Sequence, residues 1–125
     1  MKILTRLTLG FSAWAILLSM CGCRSYESHW IDASVENQTG QRIKQLEVAY
    51  PSASFGANSL DVGASMHYRF QIRNSGPVKV EYSTDNGKTV KVQGLTLVEH
   101  QQGQLTIRLQ PEGKIEFIPQ LQPAS

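Results

Sequence analysis

Two cysteines spaced two positions apart, three dispersed histidines and a scatter of serines are the residues of this chain whose types could do chemistry. Cys21 and Cys23 are its entire cysteine complement, and they lie in "LLSMCGCRS" at the end of an apolar run. A disulfide between them would close a very small, strained ring. A redox pair uses the Cys-x-x-Cys spacing, and a zinc site needs more ligands than two. The chemistry that needs only one cysteine is acylation. His29, His67 and His100 show no metal-ligand spacing along the chain, so no metal site or cofactor is expected from them. The serines lack the Gly-x-Ser-x-Gly setting of a nucleophile elbow, and no catalytic residue is assigned.

The acylation reading gains its context from residues 1 to 20. Met1 to Arg6 is a basic opening, and Leu7 to Met20 is a mostly apolar run. That run suits an export signal and falls short of the ~20 residues of a spanning helix. The segment resembles the signal peptide of bacterial lipoproteins, whose lipobox ends in a small residue followed by the cysteine that receives the lipid. In "MCGC" Gly22 takes the place of the small residue and Cys23 that of the lipidated one. The alternative is Cys21, which would put bulky Met20 before the cut. The resemblance implies a signal peptide over 1–22, a lipidated cysteine and short tether over 23–29, and a domain in the cell envelope, facing the periplasm or the exterior. Two or three acyl chains, at about 0.8 kcal/mol per buried CH₂, hold a protein at a membrane without any spanning helix. Arg24, where an Asp retains some lipoproteins at the inner membrane, points to the outer one.

Charge narrows the partners. Of 12 Lys+Arg and 10 Asp+Glu, Lys2 and Arg6 lie in the expected signal, which leaves the remainder balanced. A balanced chain without like-charge runs carries no electrostatic footprint for nucleic acid.

The elements that must position any site are strands. After the tether the sequence alternates apolar and polar residues between turn signals, with no sustained helical period. In "WIDASVE" Ile31, Ala33 and Val35 share one face; in "RIKQLEVAY" Leu46, Val48 and Tyr50 do, with Ile43 out of phase at a bulge. In "MHYRFQIRN" Met66, Tyr68, Phe70 and Ile72 are expected inside. Consistent faces in "VKVEYSTDNGKTVKV" require a three-residue loop at Asp85-Asn86-Gly87, pairing Tyr82 with Val90, Val80 with Val92 and Glu81 with Lys91. The same logic places a loop at Pro111-Glu112-Gly113, with Leu109 opposite Ile115, Ile107 opposite Phe117 and Arg108 facing Glu116.

The expected fold is therefore all-β: a seven-stranded antiparallel β-sandwich of immunoglobulin-like type over residues 30–118, with a C-terminal tail at 119–125. A small β-barrel is the alternative. The strands are expected near 30–36, 42–50, 65–73, 78–84, 88–93, 104–110 and 114–118. The run "VENQTG…LEVAYPSASFG…HYRF…SGPVKVEY" resembles small bacterial lipoproteins with an immunoglobulin-like β-sandwich. That resemblance implies the same fold and brings no functional residue with it. "STDNGKT" is similar to the Asp-box of propeller proteins, with Val90 where the box has Trp. That box is itself a structural hairpin. Asn37-Gln38-Thr39, formally a glycosylation sequon, precedes Gly40 and reads as a turn.

Two candidate contact regions follow. The first is the stretch 50–65, read as a long loop with Ser52, Ser54, Phe55 and Asn58 as contact residues, or as a crossing in which Phe55 and Leu60 close the core. The second is an outward face of Trp30, His67, Arg69 and Arg73. The functional expectation is a membrane-anchored envelope lipoprotein whose domain is a protein-interaction or structural accessory module, not an enzyme. The alternative is a glycan, peptidoglycan or small-ligand module, and a small hydrolase is the remaining class.

Overall fold

Residues 29–123 are described by the computed structural model of the chain, so the cysteines, the signal and most of the tether lie outside the described residues. The alternating segments form eight strands: β1 (Ile31–Asn37), β2 (Ile43–Tyr50), β3 (Ala53–Leu60), β4 (Ser65–Phe70), β5 (Gly76–Thr84), β6 (Thr89–Leu97), β7 (Gln102–Leu109) and β8 (Ile115–Gln122). They make two four-stranded sheets, ordered β4-β1-β7-β8 and β3-β2-β5-β6. The sheets pack face to face without closing into a barrel, so the expected β-sandwich is the fold. It keeps the sandwich architecture, but its strand order differs from that of the expected immunoglobulin-like type.

The alternation translates directly into burial. Ile31, Ala33 and Val35 of β1 face the core, as do Val78, Val80 and Tyr82 of β5 and Leu105, Ile107 and Leu109 of β7. Side chains with period two on both inner faces give one continuous apolar layer, the main driving force for a domain of this size.

Both hairpins take the pairings their sequences require. Tyr82 sits opposite Val90, Val80 opposite Val92 and Glu81 opposite Lys91. The Thr84 amide donates to the Lys88 carbonyl at 2.8 Å, and Gly87 holds φ at +83° in the left-handed region that closes such a loop. Leu109 faces Ile115, Ile107 faces Phe117 and Arg108 faces Glu116. The bulge in β2 is also present: the register shifts between Lys44 and Glu47, Gln45 takes φ +52°, and Ile43 and Leu46 both reach the core.

Four expectations need correction. The described residues form eight strands, because residues 53–60, read as loop, pair along β2 from Ala53 opposite Tyr50 to Leu60 opposite Ile43. The sandwich is not wholly antiparallel, since β1 runs parallel to β7. Alternation encodes which side of a strand is buried and says nothing of its direction, so this pairing left no trace in the sequence. β8 runs to Gln122, so residues 119–122 belong to the sheet and not to a tail. Pro119 is compatible with that because β8 is an edge strand. Finally Tyr68, expected inside, is 43% exposed: β4 is likewise an edge, and although Phe70 on the same row is buried and Met66 packs against the core, the Tyr68 ring reaches solvent.

Candidate functional site

The outer face of the β4-β1-β7-β8 sheet gathers polar side chains in registered rows. Pairing places Arg69, Asp32, Gln104 and Gln120 side by side across the four strands. The next row is His67, Ser34, Thr106 and Ile118, and the next Ser65, Glu36, Arg108 and Glu116. Residues opposite one another in neighbouring strands point to the same side of the sheet, so the rows form one surface.

Charge along these rows is internally paired. Arg69 Nε lies 3.3 Å from Asp32 Oδ1, and the guanidinium sits 5.0 Å from the centre of the Trp30 ring, within cation–π range. Arg108 bridges two carboxylates, with Nε donating to Glu36 Oε1 at 3.0 Å and Nη1 to Glu116 Oε1 at 3.4 Å. The hydrogen bond from its side chain to Glu36 raises the Arg108 pKa, burial opposes the shift, and the two carboxylate charges add to it.

Between the rows lie two open troughs. One, of about 510 Å³, is lined by Ser34, His67, Tyr68 and Thr106 together with Asp32, Arg69 and Gln104. The other, of about 350 Å³, runs beside Trp30 and is lined by Gln102, Gln104 and Gln122 with Asp32 and Arg69. They share three residues, so they are adjoining parts of one depression.

Of the expected outward face, Trp30, His67 and Arg69 are brought to this surface. Arg73 is not: β4 ends at Phe70, the chain turns, and Arg73 lies exposed beyond the strand. The missing members were the glutamines of β7 and β8 and Thr106. Their outward parity was readable, but their adjacency to β1 depended on the parallel pairing.

The stretch 50–65 resolves differently. Ser52, Ser54 and Asn58 are exposed on or beside the edge strand β3. Phe55 is only 7% exposed and belongs to the core, as does Leu60, so Phe55 is withdrawn as a contact residue. Its ring stacks on Tyr68 at 4.6 Å, and Tyr50 stacks on Phe70 at 4.1 Å. This aromatic cluster seals the side of the sandwich where β3 and β4 are both edges. Burial raises the Tyr50 pKa, with the Tyr68 charge adding to the shift.

The histidines are less dispersed in space than in sequence. The rings of His29 and His100 lie 5.3 Å apart, and His100 Nε2 is 3.7 Å from Glu99. Among the described residues no group of three His, Cys, Asp or Glu side chains is placed to hold a metal ion. No helix among them is long and apolar enough to cross a membrane.

Comparison with known proteins bears on the fold alone. No family model and no curated protein matches the chain. The chain is similar to an NMR structure of a protein from Eubacterium rectale, with a TM-score of 0.54 and 16% identity, over 74% of this chain and 89% of that one.

Proposed function

We propose that this protein is an envelope lipoprotein, tethered through Cys23, whose β-sandwich acts as a protein-interaction or structural accessory module. The observation that carries the reading is the side of the sandwich where β3 and β4 end their sheets. There an aromatic cluster comes to the surface at Tyr68, beside the edge of β3 that no other described strand pairs. An exposed aromatic next to a free strand edge is the kind of surface that captures another polypeptide. The lipobox-like segment supports the tether, and β1 beginning eight residues after Cys23 would hold the domain close to the bilayer.

The test is crosslinking in intact cells followed by mass spectrometry, with Cys23→Ser as the control. A specific envelope protein, or a second copy of this chain, captured only with the anchor intact supports the module. Capture of wall fragments or lipid alone contradicts it.

A second reading rests on the depression beside Trp30. Glutamine amides, the Ser34 and Thr106 hydroxyls and one indole lining an open depression with paired charges match the hydroxyls and apolar faces of sugars, so this surface would serve a glycan-binding module.

A further inference from the structure

Sheet edges are hazards that proteins blunt with charge, proline, brevity or cover. Three of the four edges here are blunted. β4 has only six residues and carries His67 and Arg69; β6 carries Lys91; β8 carries Glu116 and Pro119. The fourth, β3, reads Ala-Ser-Phe-Gly-Ala-Asn-Ser-Leu over eight residues, with no charge and no proline. Among the described residues its only strand partner is β2, and none of them makes a backbone hydrogen bond to its outer side between Ala53 and Ser59.

The geometry points to β3 as a self-pairing edge, through which two copies of this protein join antiparallel about a two-fold axis. The inference deepens the interaction-module reading and rests on it, naming a second copy as the occupant. The residues of β3 select that occupant. Centring the axis on Gly56 sets Gly56 against its own copy, Phe55 against Ala57, and Ser54 against Asn58. Each large inward side chain then meets a small one, and a hydroxyl meets an amide on the outer side. An uncharged edge meets its copy without like-charge repulsion, whereas the β4 or β6 edge would confront like charges. The pairing would join the two β3-β2-β5-β6 sheets into one and cover the exposed flank of Tyr68, which stacks on Phe55 at this edge. A C2 arrangement of this kind closes on itself and leaves no free β3 edge for further growth.

Sedimentation velocity of the full chain in detergent, from micromolar to millimolar concentration, tests this with two variants at exposed positions. Ser54→Lys with Asn58→Lys sets lysines against each other across the axis, while Ser54→Lys with Asn58→Glu sets lysine against glutamate. The expected result is a wild-type dimer, a monomeric like-charged variant, and a charge-matched variant that dimerises and loses its dimer in high salt. Matching melting curves establish that both variants fold. A wild-type chain monomeric throughout overturns the inference, as does equal association of the two variants. If the wild type is monomeric yet crosslinks to a different envelope protein in cells, self-pairing falls and the interaction module stands. If it does neither, both fall.

Discussion

From a fully buried position at the end of β1, the Asn37 amide donates to the Leu60 carbonyl at 2.9 Å and so fastens one sheet to the other. The same nitrogen lies 2.9 Å from the Gln41 carbonyl and 3.0 Å from that of Asp61, so its two hydrogens serve three acceptors. Its Oδ1 accepts from the Thr39 amide at 3.1 Å and the Thr39 hydroxyl at 2.7 Å. The backbone continues the clamp: the Asn37 amide donates to Ala64, and its carbonyl accepts from Gly63. One side chain thus sets the turn after β1 and the turn between β3 and β4.

Asn37→Ala would leave several of these groups without a partner. Its unfolding free energy is expected to fall by about 2–3 kcal/mol, since a buried polar group stripped of its partner costs about 1–3 kcal/mol. Urea denaturation measures this. A change below about 0.5 kcal/mol, the range of an ordinary surface substitution, would show that the clamp does not hold the sheets.

Gly56 is constrained by a close approach. A Cβ there would run into the Leu46 carbonyl oxygen where the β2 bulge bends toward β3. Gly56→Ala is expected to destabilise the fold by about 1–3 kcal/mol through forced backbone shifts. Amide exchange should show the loss of protection concentrated in β2 and β3. Uniform loss across both sheets would contradict a local cause.

Tyr82 is 1% exposed, and burial raises its pKa above the ordinary 10.0. Above pH 10 the unfolded tyrosine ionises while the folded one keeps its proton, so the unfolded state binds fewer protons and stability falls as pH rises. Below pH 10 the group contributes no pH dependence. Melting curves between pH 9 and pH 11, about a unit either side of that value, should decline less steeply for Tyr82→Phe than for wild type. Parallel declines would show that Tyr82 is not the group responsible.

Trp30 discriminates the two functional readings. Trp30→Ala removes the indole that the outer face carries among the described residues and frees Arg69 from its ring. Under the glycan reading, retention on immobilised peptidoglycan or polysaccharide should be lost. Under the interaction-module reading, crosslinking through the β3 side should persist.

What the sequence made legible follows from what alternation and turn chemistry encode. The Tyr82–Val90 and Leu109–Ile115 pairings were readable because Gly87 and Gly113 mark the loops and apolar phase fixes the register. The Ile43 phase break was readable as a bulge for the same reason. β3 was not: Ala53–Leu60 has only Phe55 and Leu60 as large apolar residues, so it lacks the signal of a strand and owes its conformation to pairing with β2. The face holding Trp30, His67 and Arg69 was half legible. Parity put these side chains outward, but the parallel β1–β7 pairing that brings Gln104 and Thr106 beside them is a tertiary choice. The closeness of His29 and His100 has the same origin.

Metabolic labelling with an alkynyl palmitate analogue tests the proposed lipid tether at Cys23. Wild type and Cys21→Ser should both incorporate the label and sediment with membranes, while Cys23→Ser should do neither. Label retained by Cys23→Ser, or lost in Cys21→Ser alone, would contradict a tether at Cys23.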